Sequence, residues 1–299
     1  MRAFIVIYSP IELALSYRAA SGTAPTGLPP PSEPADAQDA VTIAALSCML
    51  WTGHVNRPGP QEEPVNTPIY ERALGRDFDR LQPELQEYFA LAPGSGHYGV
   101  GEGVFDVVGC RQAWLRPLLR LTAGEQAFFP EYGEGIRFRI ENHAHLDPFG
   151  RSSLTARREI FFPGTTRLFH DTTSFDDSGT RQGLVDYVGR FRRLATDLNL
   201  SVTPEGRLRG VSEASRLFLG PLRIPLPAAL DAKAYAEQWW EPQDGGRHRI
   251  QVKVIQPQLG LVLVYAGHFD YRLEPYPGGV ATPGYLPGHA RPDGWESRV

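Results

Sequence analysis

Four residues able to bind a metal or move a proton alternate along one short stretch: Glu141, His143, His145 and Asp147. In an extended chain, side chains two positions apart point to the same side. The two imidazoles and two carboxylates would therefore share one face of a strand, and a His-x-His pair so placed is a donor set for zinc or another transition metal. The same face continues through Arg137 and Arg139, while Ile136, Phe138, Ile140, Asn142, Ala144 and Leu146 occupy the other. Two guanidinium groups beside a cation work against its binding. The simpler reading is a solvated outer face, and no metal site is expected.

Arg158 is placed differently. It alternates with Leu154, Ala156, Ile160 and Phe162, so it points inward with them. A buried guanidinium is costly unless it is paired, and Asp171 lies on the next extended segment, on the face of Phe169, Thr173 and Phe175. The pair is either a structural bridge that sets strand register or a polar anchor for a ligand in an apolar cavity. Asp186 alternates with Leu184 and Val188, and Arg216 with Ala214 and Phe218. Arg158, Asp171, Asp186 and Arg216 are thus the expected ligand-binding set, with no residue assigned as catalytic. His170 neighbours Asp171 and so faces the opposite way, and His268 and Asp270 share their face with Arg272 and read as exterior. No serine sits in a GxSxG elbow, and Cys48 and Cys110 make no CxxC or Cys/His spacing.

The elements that must carry these residues begin at Ile69 to Leu91. Leu74, Phe78, Leu81, Leu85 and Phe89 recur there at helical spacing, and Pro83 breaks or restarts the helix. A second helix is expected at Gln112 to Leu121 and a third at Ala228 to Gln238, ending in Trp239 and Trp240. Between and after these the period is two. Strands are read at 98–108, 136–146, 154–162, 166–175, 183–189, 191–202, 207–218, 249–256 and 261–273, joined by turns such as Asp147-Pro-Phe-Gly150. About nine strands without helical crossovers make an antiparallel meander, and the expected fold is mainly β (α+β): a barrel or half-barrel with two or three packing helices.

Composition agrees with a folded domain and narrows its partners. Hydrophobic residues make up 41% and charged residues 21% of 299, with a net charge of −4, so nothing favours nucleic acid. No apolar run approaches the length of a membrane helix, and Pro10 and Glu12 interrupt the apolar start where a signal peptide would be continuous. A cytoplasmic protein without a membrane span is expected. Residues 1–67 read as a variable, largely disordered extension with a possible short helix at 41–51; 68–273 as the β domain; and 274–299 as a disordered Pro/Gly-rich tail.

Five segments in order, ENHAHLDPFGR (141–151), ARREIFFPG (156–164), FHDTTSF (169–175), VDYVGRFRRLATDLNLSV (185–202) and QVKVIQPQLGLVLVYAGHFDYRL (251–273), resemble a bacterial family of domains of unknown function, DUF4166. Members of that family often follow an NAD(P)-binding, saccharopine-dehydrogenase-like domain or are attached to membrane segments. No glycine-rich dinucleotide loop follows a strand here, so no cofactor is expected. The resemblance carries over no activity. It does imply one possible partner, a separate NAD(P)-dependent oxidoreductase on which the domain would dock. The residues themselves favour a binding module for an apolar small molecule, lipid- or isoprenoid-like, held at Arg158 and Asp171. The remaining alternative is an enzyme using Asp171 or Asp186 as base beside Arg158.

Overall fold

Strict alternation of apolar and polar residues, punctuated by Pro-Gly and Glu-Gly turns, drives this chain into long antiparallel hairpins. The computed structural model describes residues 66–177, 183–277 and 286–293. The proline-rich segments before residue 66 and the possible helix at 41–51 lie outside them. Eleven strands follow in order: β1 (His97–Gly109), β2 (Tyr132–Leu146), β3 (Ser152–Phe162), β4 (Thr165–Asp176), β5 (Gly183–Val188), β6 (Leu194–Val202), β7 (Leu208–Leu219), β8 (Leu222–Pro225), β9 (Lys233–Glu241), β10 (Arg247–Gln256) and β11 (Gly260–Pro275).

From β1 to β7 each strand pairs antiparallel with the next. β7 then pairs with β9 past the short β8, the meander continues through β10 to β11, and β11 returns to pair with β1. Ten strands therefore close an up-and-down barrel whose seam joins the first strand to the last, with β8 hanging from β7 as a hairpin. Closure leaves no free edge along the wall, which removes the row of unpaired amides that an open sheet exposes. No helix among the described residues is long and apolar enough to cross a membrane.

Two elements depart from expectation. The helix read at Ala228 to Gln238 is largely strand β9, and Trp239 and Trp240 belong to that strand. Alanine, glutamate and glutamine favour helix locally, but Ala236 and Gln238 lie opposite Val252 and Ile250 of β10, and pairing on both edges overrides the propensity. The tail is not wholly loose either. β11 runs to Pro275, Tyr276, Leu286 and Ala290 are buried, and a single 3-10 turn, Gly288–Ala290, lies against β3. Its Pro/Gly composition concealed a few apolar and aromatic anchors.

Three short helices accompany the barrel: α1 (Ile69–Leu74), α2 (Pro83–Phe89) and α3 (Arg116–Thr122). Pro83 starts α2 rather than breaking it, as suits a residue with fixed φ and no amide to offer. The 3-10 turn Gly75–Arg80 and α2 send Phe78, Leu81, Leu85, Tyr88 and Phe89 into the same core as Phe105, Phe138, Ile160, Phe269 and Val252 of the wall. Leu85 is wholly buried, so this segment acts as an internal plug. Room for it and for the aromatic side chains comes partly from β1, where Gly101 faces inward opposite Ile140. A Cβ at Gly101 would stand 2.6 Å from the Ile140 side chain and 3.1 Å from the Phe269 ring. α3 instead packs with Cys110, Phe128, Leu259 and Val262 in a separate small cluster.

Candidate functional site

Inside this apolar wall sits a group of charged and hydroxyl-bearing side chains. Arg158 on β3 donates from Nη1 to Asp171 Oδ2 on β4 at 2.6 Å, as their inward alternation and the tight β3–β4 hairpin require. The guanidinium also lies over the Phe169 ring, 5.2 Å from its centroid. Asp186 on β5 faces Thr173 across the sheet and accepts a hydrogen bond from its Oγ1 at 3.1 Å. Three of the four expected ligand-binding residues, Arg158, Asp171 and Asp186, are therefore together in the barrel.

Burial and mutual charge set their protonation. Burial opposes the charge on Arg158, but the attraction of Asp171 and the hydrogen bond to it outweigh that cost and hold the guanidinium above its ordinary pKa. Asp186 is pushed up to about 8, first by burial and then by the nearby Asp171 charge, with the Thr173 hydrogen bond and Arg158 opposing. At neutral pH Asp186 is thus mostly a neutral acid beside the Arg158–Asp171 bridge. Hydroxyls surround them. Burial raises Tyr70, Tyr88 and Tyr265 alike, Tyr265 to about 12, and each senses the charges of Arg158 and Asp171. Despite their depth, Arg158 and Asp171 each keep 13% of their side-chain surface free of protein contact.

The polar group extends along the barrel. Asn142 Nδ2 donates to Tyr88 Oη at 3.0 Å, and the Tyr88 ring packs against Tyr271, 4.4 Å between centroids. Tyr271 senses Asn142 and Tyr88 senses Gln238 as hydrogen-bonding neighbours, whereas His248 Nδ1 is buried and has no hydrogen-bond partner among the described residues. Burial pushes His248 down to about 4, so its imidazole, stacked on Phe269, is neutral. Asn142 carried a sequence signal, since it interrupts the apolar face of Ile136, Phe138, Ile140 and Ala144. Gln238 was hidden by the misread helix, and Tyr88 by a helical face counted only for its aliphatic and phenylalanine positions.

Arg216 does not join this group. Its register partner is Ala195, itself opposite Tyr187, whereas Asp186 is opposite Thr196 and Thr196 opposite Ser215. A bulge at Thr196/Leu198 inserts a residue into the pairing and reverses the alternation of β7 beyond it. Arg216 therefore lies on the outer side of the wall, where Nη1 donates to Asp197 Oδ1 at 2.5 Å.

The face carrying Glu141, His143, His145 and Asp147 is the outer one, as alternation indicates, but it is not solvated. His143 and His145 are each 1% exposed and Asp147 4%. The Gly189–Arg193 turn and residues 286–293 meet beside it, where Asp293 N donates to Arg190 O at 2.6 Å. Under this layer His145 Nε2 lies 3.0 Å from Thr155 Oγ1, which bonds on to Thr172 Oγ1 at 3.0 Å. Asp147 accepts from the amides of Phe149 and Arg151 and from Arg151 Nε at 2.7 Å, which closes the turn expected there. Burial lowers His145 and His170 to about 4. Near the rim, Glu141 Oε2 lies 2.9 Å from His289 Nε2 and 3.5 Å from His143 Nε2. Hydrogen bonds to its two oxygens, from His143 first and then His289 and Arg139, hold Glu141 down at about 2 against the cost of burial.

The chain was compared with known proteins. A family model described as "Domain of unknown function (DUF4166)" matches residues 81–269. An uncharacterised protein of Bacillus subtilis, YndH, is 27% identical over 202 residues, which is 68% of this chain and 96% of the relative. No solved structure matches. The matched span runs from the plug through most of β11 and includes Arg158, Asp171 and Asp186, so the chain belongs to the DUF4166 family of domains of unknown function.

Proposed function

We propose that the barrel is a binding module for an apolar small molecule, lipid- or isoprenoid-like, with an uncharged polar head seated near Arg158, Asp171 and Asp186. One observation carries the reading: His248 Nδ1 is left without a hydrogen-bond partner among the described residues inside the barrel. A buried unpaired group costs about 1–3 kcal/mol, and a hydrogen bond from a ligand would recover that cost. The protein-free surface on Arg158 and Asp171 supports space beside them. Arg158 and Asp171 offset one another and Asp186 is mostly neutral at pH 7, so a net-charged head gains no counter-ion. The same proposal takes residues 68–273 as the working unit, preceded by an extension, and the cytoplasm as its location.

The test is native mass spectrometry of the purified chain, then organic extraction and a thermal-shift panel of lipids and metabolites. We expect a retained apolar molecule, or a rise in Tm with one class of the panel, and weaker retention in His248→Phe. An empty protein that no panel member stabilises would overturn the reading and leave the Arg158–Asp171 pair a structural bridge.

A second reading has an observation of its own. Asp186, at about 8 beside the Arg158–Asp171 bridge, is suited to donate or accept a proton near neutral pH. An enzyme of this kind would keep its ligand and lose turnover in Asp186→Asn; unchanged turnover of an identified substrate would exclude it. Docking on a separate oxidoreductase rests on the family's domain arrangements alone.

A further inference from the structure

We propose that Glu141, His143 and His289 form a binding site for a divalent transition-metal ion, zinc by preference, on the outer wall of the barrel. The site is independent of the interior and of any ligand held there. The three side chains each offer one donor atom, and these atoms all lie within 4.8 Å of one another. Two imidazole nitrogens and one carboxylate oxygen suit zinc, which takes such donors at roughly 2.0–2.2 Å in tetrahedral geometry. A three-residue set leaves a fourth position for water, and His289, 54% exposed, stands on the solvent side where that water would enter.

The second observation is His143 itself. The residue is 1% exposed, and its buried Nε2 meets Glu141 Oε2 only at a long 3.5 Å. Its other nitrogen, Nδ1, lies 3.0 Å from Tyr276 Oη. The ring packs beside Tyr98 and Tyr276, with centroids at 5.2 and 5.8 Å, and the two tyrosine rings stand 5.2 Å from one another. An imidazole fixed through its remote nitrogen, with its near nitrogen standing among the other donors, is oriented as metal-ligating histidines are.

Of the two arginines that argued against a cation, Arg139 has its charge placed by geometry. Arg139 takes the other oxygen of Glu141, Oε1, through Nε and Nη2 at 3.4 and 3.2 Å, and its Nη1 pairs with Glu102 at 2.5 Å. Its charge is thus largely answered by Glu102, and its grip on Oε1 orients Oε2 toward the two histidines. His289 comes from the segment lying against β3, so the metal would clip residues 286–293 to β2.

The test is titration of the full chain, stripped with chelator, with zinc by calorimetry and with cobalt(II) by visible absorption. We expect one equivalent to bind, with ligand-field bands of a four-coordinate nitrogen/oxygen site. His289→Ala, at an exposed position, and Glu141→Gln, of nearly equal volume, should each weaken binding by more than the roughly 10–100-fold that loss of an outer-shell partner costs. Zinc should also slow proteolysis within 286–293 in the wild type and not in His289→Ala. Absence of stoichiometric binding would overturn the proposal. So would binding that both variants retain at wild-type affinity, because the metal would then sit elsewhere.

Discussion

Asp171 and Asp186 are both inward carboxyls of the barrel, yet the structure gives them opposite roles, and each role can be measured. Asp171 answers the Arg158 charge, so Asp171→Asn strands a buried guanidinium. Breaking such a pair costs about 3–5 kcal/mol, whereas replacing both partners with apolar residues costs far less. In urea denaturation, Asp171→Asn should therefore be less stable than the double variant Arg158→Met/Asp171→Leu; the reverse order would mean that the guanidinium is well solvated where it stands. Asp186 instead has its folded pKa raised from 3.8 to about 8. The folded state then holds a proton that the unfolded state has released, so this group's contribution is present below about pH 4 and is lost as the pH rises to about 8. Wild type should lose Tm relative to Asp186→Asn across that window and run parallel to it above. Subtracting the two profiles removes the opposite trend from His145 and His170, whose lowered values cost stability as the pH falls below 6.5. Parallel curves throughout would show Asp186 to be ionised and solvated. Much of this was legible residue by residue: alternation brought Arg158, Asp171 and Asp186 to one side. Arg216 was misplaced because a bulge leaves no mark in composition.

At the scale of elements, each strand shows its period clearly while its surroundings stay hidden. Glu141, His143 and His145 were assigned to the correct side of β2, but whether that side met water depended on residues 286–293, more than a hundred positions away. β9 was lost because Ala234, Ala236 and Glu237 are locally good helix residues, and only the neighbouring strands decide otherwise. The plug and β1 are complementary in the same way. Gly101 is small because Ile140 and Phe269 occupy the place of its side chain. Gly101→Val should cost about 1–3 kcal/mol through overpacking, and Leu85→Ala in the plug about 2–5 kcal/mol through the cavity it leaves. Both are checked by chemical denaturation. A neutral Gly101→Val would mean that the interior beside β1 has slack.

For the whole molecule, the seam between β1 and β11 is the decisive contact. β1 can find its second partner only after the entire wall has been made, so the fold is dominated by pairings distant in sequence and should form slowly, on the order of milliseconds to seconds. Deleting Gly260–Pro275 would open two edges at once, those of β1 and β10. Size-exclusion chromatography should then find aggregate rather than monomer, and a soluble monomer with strand-type circular dichroism would show that the open sheet is self-sufficient. The same seam has a mechanical meaning. His97 and Pro275 are direct register partners, so the chain enters and leaves the wall at adjacent points on one rim. A force applied between those residues acts along the interstrand hydrogen bonds, which run perpendicular to the strands. It would peel them apart one pair after another, as a zipper opens, instead of shearing the whole ladder together. Tethered at those two positions the barrel should yield at low force, while tethers at His97 and Val264, opposite ends of the paired strands, should load the ladder in shear and hold.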